Sequence, residues 1–223
     1  ASDVYKRQHY HSNKNEALKI KERIEKIGRK AFIVKANIIS ETDIDEMKEY
    51  LLRKMDKISV LINCSTNPVN NKKFSDLSWH DIKIHIDTNI KGSYNLIKAF
   101  FPHWQKNKFG KFIAITTIYT EQHKSELLGY ITAKTALNGF IKALAYELAP
   151  PGMRFNLVSP GMVDTALIAD VPEKVKLLSA AQNPVRDLAS AEDIANVISF
   201  LASNRSNHLN GETIRINGGQ FML

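Results

Sequence analysis

Residues 112–115, 130–148 and 155–158 read FIAI, YITAKTALNGFIKALAYEL and FNLV, and this strand–helix–strand succession decides the fold. Short, largely apolar runs suit strands buried on both faces, as in a parallel sheet covered by helices. The alternation extends both ways. Upstream, Ile58 to Ile62 and Ala31 to Ala36 are further apolar runs. Ser78 with Asp81 opens a long helix reaching about Trp104, and Ser40 with Asp43 opens one that turns Ile44, Met47, Leu51 and Met55 inward. Ala17, Ile20, Ile24 and Ile27 share one face of a first helix that Gly28 can end. Downstream, Ser190 with Asp193 caps a helix through Leu201, and Thr213 to Ile216 is a last strand. The longest irregular stretch, Asp164 to Asn183, carries a short helix around Glu173 to Ala180 and has the length of a lid or binding loop. The implied fold class is α/β, a doubly wound parallel sheet of Rossmann-like type in one domain.

Composition narrows the function. The chain has 223 residues, 43% hydrophobic and 24% charged, which is ordinary for a globular domain and excludes wholesale disorder. No run approaches the length of a membrane span, and residues 1–10 lack the apolar core of a secretory signal. One cysteine, Cys64, makes neither an internal disulfide nor a cysteine metal cluster, and it is expected to be a small buried residue; no metal is expected, and a reducing, cytoplasmic setting is. The net charge is +8, with ten Lys/Arg against four Asp/Glu in residues 1–35. Much of that charge interleaves with apolar positions between Lys14 and Lys30, the pattern of a solvated helix face or of a docking surface for an acidic partner. No zinc spacing, recognition helix or aromatic-studded basic strand accompanies it, which argues against nucleic acid.

Chemistry concentrates after the third strand. Thr117 stands at a strand's carboxyl end, where open α/β sheets bind ligands. Tyr130 and Lys134 are four apart and share one helix face. Asn89 lies upstream in Asn-Ile-Lys-Gly, Ser159-Pro160-Gly161 follows the fourth strand, and the chain closes with Asn210-Gly211-Glu212 and Asn217-Gly218-Gly219. Together these resemble the short-chain dehydrogenase/reductase family over nearly all of residues 9–223, and the tail NGETIRINGGQFML resembles the β-ketoacyl–acyl carrier protein reductase branch.

The resemblance implies a hydride transfer in which Tyr130 gives a proton to the carbonyl oxygen, while Lys134 lowers the phenol's pKa and holds the nicotinamide ribose. Thr117 takes the family's serine position beside the substrate oxygen, and Asn89 holds a helix irregularity and the water that refills the proton. A free phenol titrates near 10, so lowering it by about 3 units needs roughly 4 kcal/mol of anion stabilisation. Threonine keeps the hydroxyl but adds a methyl and stiffens χ1. Thr117→Ser is therefore expected to raise the rate or broaden the substrate range; a variant unchanged in both contradicts that expectation.

The same resemblance places Pro160, Gly161, Val163 and Thr165 at the carboxamide, Asn37 and Ile38 at the adenine, and Asn63 at the cofactor-side turn, where Asn63-Cys64-Ser65-Thr66 replaces the family's Asn-Asn-Ala-Gly. His11, Ser12, Asn13 and Lys14 stand where the ribose is read; with no acid among them NADPH is favoured over NADH. No glycine precedes Gly28, so the family's Gly-rich phosphate loop and first strand are expected to be missing. Residues 1–8, ASDVYKRQ, read as a non-native or gene-edge segment supplying neither strand nor glycine, and residues 9–223 as an incomplete family domain. Three functions stay open: reduction of a 3-oxoacyl thioester, for which the basic charge suits an acidic acyl carrier protein; the same chemistry on a sugar, polyol or small alcohol; and a cofactor-less interaction protein. Relatives imply a homotetramer built on the two long helices and the last strand, with Phe100, Trp104 and Phe140 either at contacts between copies or in the core.

Overall fold

The computed structural model describes residues 6–10, 13–150 and 152–222. It is α/β with wholly parallel strand pairing, as expected, and forms two compact units: residues up to 57 with 91–100, and residues 58–90 with 101–222.

The first unit pairs β1 (Lys6–Tyr10) with β2 (Ala31–Lys35), Lys6 opposite Ala31 and Tyr10 opposite Lys35. Residues 6–8 are thus strand, correcting the reading of 1–8 as a segment without one; residues 1–5 lie outside the described residues. Between the strands runs α1 (Lys14–Lys26), capped by the Asn13 side chain on the Glu16 amide at 3.2 Å. The helix ends before Ile27, which leaves the helical stripe and is exposed, not inward as its spacing suggested. Helix α2 (Glu41–Lys54) buries Ile44, Met47 and Leu51, whereas Met55 lies past its end and is half-buried. Ser40 Oγ accepts from the Asp43 amide at 3.2 Å, but the Asp43 carboxylate turns to the Asn37 amide at 2.8 Å, so only half of a capping box forms. Phe100 is fully buried.

The second unit holds β3 (Val60–Asn63), β4 (Gly110–Ile115), β5 (Met153–Pro160) and β6 (Thr213–Ile216), in that spatial order. Helix α3 (Trp79–Ile86) opens on a complete Ser78–Asp81 capping box. It passes through a π-turn at Asp87–Lys91 into α4 (Gly92–Asn107), so the expected long helix is present but interrupted at Asn89. Helix α5 (Leu128–Glu147) leads towards β5; α6 (Glu173–Gln182) lies in the long irregular stretch; α7 (Ala191–Ala202) opens on the Ser190–Asp193 box.

Strands β4 and β5 are covered on both faces as the apolar runs implied, whereas Ile62 of β3 is 48% exposed. Because strand side chains alternate, Ile113 and Val158 face Ile194 and Leu201 of α7, while Phe112 and Phe155 pack at 6.3 Å and Trp104 meets Phe155 edge-on at 6.4 Å. Trp104 is fully buried, its Nε1 donating to the Ile58 carbonyl at 2.9 Å, so it is core and not surface; Phe140 is half-buried. Gly110 makes room for the indole, since a Cβ there would sit 2.4 Å from Trp104 Cγ. Lys111, on the α7 side of β4 and 2% exposed, donates to the Leu201 carbonyl at 3.2 Å, the Ser203 carbonyl at 2.5 Å and Ser206 Oγ at 3.0 Å. This buried cation was invisible in the sequence pattern.

Candidate active site

At the carboxyl end of β4 the chain turns through Thr117, which caps a 3₁₀ turn over Ile118–Thr120. Two links hold this turn. Asn138 Nδ2 on α5 donates to Thr120 Oγ1 at 3.1 Å, and Arg215 on β6 makes a two-pronged pair with Glu121 at 2.7 and 2.6 Å. Thr117 is buried, and its hydroxyl hydrogen-bonds the Tyr130 phenol on the first turn of α5. One turn further, Lys134 is 3% exposed, with Nζ 5.9 Å from the Tyr130 ring centre and donating to the Ile115 carbonyl at 2.7 Å. Asn89, 1% exposed, sits in the π-turn and donates from Nδ2 to the His85 carbonyl at 2.9 Å. The four residues singled out for chemistry all lie in the second unit.

Electrostatics here differ from expectation in one respect. Burial pushes the Tyr130 phenol up, the Thr117 hydrogen bond only partly opposing it. The Lys134 ammonium was expected to lower it, but desolvation of the phenol prevails. Burial likewise pushes Lys134 down to about 8. Near neutral pH the pair is thus a neutral phenol beside a cation, the forms in which the phenol can donate a proton and the cation can stabilise what remains. Lys134 is charged below and neutral above about 8, whereas Tyr130 keeps its proton well beyond. Turnover in the direction that takes a proton from Tyr130 should therefore decline as pH rises through about 8, read as kcat against pH. A level alkaline side would show that Lys134 keeps its charge.

The remaining candidates divide between the units. In the second, Asn63 is buried with Oδ1 accepting from the Ser65 amide at 3.0 Å; Pro160 ends β5; the Gly161 amide donates to the Ile216 carbonyl at 2.9 Å; Val163 bridges to Ala189; Thr165 is exposed. In the first, Asn13 caps α1, Lys14 begins it, Asn37 Oδ1 accepts from the Ile39 amide at 3.2 Å, and Ile38 is buried beneath Gly92, where a Cβ would come within 2.5 Å of its Cδ1. His11 and Ser12 lie outside the described residues. Cys64 is exposed, correcting the expectation of a buried thiol. Among the described residues no group of three His, Cys, Asp or Glu is placed to hold a metal, and no helix is long and apolar enough to cross a membrane.

Sequence reasoning missed His85. Its ring is 6% exposed and meets Tyr130 edge-on, centres 5.9 Å apart. Both line a shallow cleft, together with Asn70, Lys72, Asp81 and Glu126.

A nicotinamide cofactor suits the second unit's residues: an ammonium has three donors, and the bond to Ile115 takes one, leaving Lys134 able to hold a ribose diol beside Tyr130.

The match with known proteins agrees with this geometry. The family model described as "Enoyl-(Acyl carrier protein) reductase" covers residues 8–220. The chain belongs to the short-chain dehydrogenase/reductase family and is an NAD(P)-dependent oxidoreductase acting on CH–OH groups. Among individual relatives, it is 28% identical over 215 residues to 3-oxoacyl-(acyl-carrier-protein) reductase FabG of Staphylococcus epidermidis, covering 96% of this chain and 87% of that one. It is 31% identical to FabG of Aquifex aeolicus over 88% of this chain and 79% of that one, and 30% identical to FabG of Escherichia coli K12 over 84% and 76%. A crystal structure provisionally assigned as a gluconate dehydrogenase from Agrobacterium tumefaciens superposes with a TM-score of 0.90 at 20% identity, covering 99% of this chain and 87% of that one, which shows the fold.

Proposed function

We propose that the protein is an NADPH-dependent reductase of 3-oxoacyl thioesters, with Tyr130 as proton donor. The observation that carries the chemistry is the neutral Tyr130 phenol held between the Thr117 hydroxyl and the Lys134 ammonium. The choice of substrate leans on the FabG relatives.

The bound cofactor supplies the hydride, and the chain's own residues orient and polarise. Thr117 Oγ1 and the Tyr130 phenol take the substrate's carbonyl oxygen between them, and Tyr130 gives its proton to that oxygen. Lys134 stabilises the phenolate left behind and holds the ribose diol. Asn89 keeps the π-turn open for the water that returns the proton. Pro160, Gly161, Val163 and Thr165 flank the carboxamide; Asn63 lies at the cofactor-side turn; Asn37 and Ile38 serve the adenine. His11, Ser12, Asn13 and Lys14 read the ribose phosphate, Lys14 supplying charge where NAD enzymes carry an acid. The net charge of +8 suits an acidic acyl carrier protein as substrate carrier. The working form is a cytoplasmic homotetramer.

The test is NADPH oxidation with acetoacetyl-coenzyme A and with an acetoacetyl-acyl carrier protein, alongside NADP⁺ reduction with gluconate and polyols. Turnover of the thioesters, preferring the carrier-protein form and NADPH over NADH, is expected. Turnover of the sugar acids alone would replace the substrate. Fluorescence titration showing that the chain binds neither cofactor would leave it an interaction protein.

A further inference from the structure

Helix α3 ends at the π-turn, and His85 stands on its last turn. The residue is held twice. Its carbonyl accepts from Asn89 Nδ2 at 2.9 Å, which ties its backbone to the π-turn, and its ring lies edge-on to Tyr130, interplanar angle 75°. The contact exists because Gly129, immediately before Tyr130, has no side chain: a Cβ there would lie 3.1 Å from the Asp81 carbonyl oxygen and 3.2 Å from Ile82 Cα. The start of α5 can therefore come up against α3, and the two rings meet.

For a group that merely fills space, imidazole is a poor choice. Among the described residues His85 Nδ1 is buried without a hydrogen-bond partner, and leaving a nitrogen unpaired in a buried place is unfavourable where an apolar ring of similar size would fit. The charges around it explain how the ring is used. Lys134 on α5 faces it with a positive charge, and burial also disfavours its protonation. Asp81, on α3, is the carboxylate that opposes, but it is engaged by Lys72 at 2.6 Å and by Ser78. Tyr130 on α5 is neutral, and Glu126 lines the same cleft from the loop before α5. A proton on His85 would set a second cation beside Lys134, with the opposing carboxylate of Asp81 already engaged by Lys72 and Ser78.

We propose that His85 is a positioning residue for Tyr130: its ring holds the phenol against Thr117 and in front of Lys134, and it does so only while the imidazole is uncharged. The inference rests on the proposed role of Tyr130 as proton donor. It makes the last turn of α3 part of the catalytic framework, with one residue serving the π-turn through its carbonyl and the phenol through its ring. It also gives the enzyme an acid limit that belongs to neither Tyr130 nor Lys134.

The test compares the wild-type chain with His85→Phe and His85→Ala, using NADPH and acetoacetyl-coenzyme A across the acid and neutral range. Wild-type kcat is expected to fall on the acid side with an ionisation below that of an exposed histidine. His85→Phe, which keeps a ring and lacks the titrating nitrogens, should hold near-wild-type kcat at neutral pH and lose the acid-side fall. His85→Ala should lose about 10²-fold in kcat, as a misplaced reacting group does, with KM for NADPH unchanged. An acid-side fall that persists in His85→Phe overturns the proposal, as does a folded His85→Ala with wild-type kcat. Should the alanine variant fail to fold, the pH profile of the phenylalanine variant decides. A second readout needs no substrate. In proton NMR the His85 ring signal should be displaced by the Tyr130 ring current, lose that displacement in Tyr130→Ala, and titrate below the ordinary histidine value. A His85 that titrates like an exposed histidine overturns the proposal even if no thioester is turned over, whereas absent turnover with the expected NMR behaviour counts against the substrate alone.

Discussion

Tyr130→Phe is expected to lower kcat by about 10³-fold, within the range that positioned proton transfer contributes, while NADPH affinity and thermal stability stay close to wild type. The substitution removes one oxygen. The ring remains, edge-on to His85 and 5.9 Å from Lys134 Nζ, so the packing of α3 against α5 is kept. What is lost is the hydroxyl that Thr117 bonds and from which the proton leaves. Losing that hydrogen bond costs about 1 kcal/mol of stability, whereas a 10³-fold drop corresponds to about 4 kcal/mol in the barrier. The separation of the two magnitudes is the diagnostic feature. Steady-state kinetics with a cofactor titration on the same preparation decides it: a variant that keeps most of its kcat removes Tyr130 from the reaction.

Lys111→Met should be the most damaging substitution away from the site. Methionine replaces the stem of the lysine and removes its donation to three acceptors: the carbonyls of Leu201 and Ser203, and Ser206 Oγ. The last carbonyls of a helix have no partner within it, and α7 ends at Ala202, so the buried cation both satisfies them and complements the negative end of the helix. Ser206 Oγ also donates to the Leu201 carbonyl at 2.6 Å, so part of the network survives. A loss of about 3 kcal/mol follows from two to three charge-assisted bonds, equivalent to roughly 9 °C in Tm for a chain of this size. Circular dichroism melting reads it directly. A shift of only a degree or two would mean that water takes over the carbonyls. Kinetics below the transition should be close to wild type, since the cation lies on the α7 side of β4 and the catalytic residues cluster around the start of α5.

How far the sequence carried can be judged residue by residue. Ser190 with Asp193, and Ser78 with Asp81, gave their helix starts because a capping box is a local device. Thr213 to Ile216 and the short helix near Glu173 were likewise legible from local pattern. Asn89 signalled a helix irregularity only through resemblance, and the π-turn is there. Failures came where the outcome depended on distant chain. Residues 6–8 carry no strand signal of their own and become strand by pairing with residues 31–33. Ile27 fitted a helical stripe, but the helix stops at Lys26. Lys111 looks like a surface lysine until the end of α7 is brought over it. The Tyr130–Lys134 spacing put both side chains on one face, yet it could not reveal that the Ile115 carbonyl would claim the ammonium or that burial would govern the phenol. His85 escaped notice because its importance is a contact with a residue 45 positions away.

The π-turn at Asp87–Lys91 has one more consequence, and it concerns insertions and deletions. A π-turn contains one residue more than the α-helix it interrupts, and each residue rotates an α-helix by about 100°. Deleting a single residue between 87 and 91 would restore an unbroken helix with ordinary hydrogen bonds, and helix propensity would barely object. It would also swing every side chain of α3 around the axis relative to α4. His85 would then leave Tyr130, and Gly129 would meet a different face of α3. The length of this stretch is therefore constrained as tightly as its composition, and a library of one-residue deletions through α3 and α4 should show its sharpest loss of turnover in variants that still melt cooperatively.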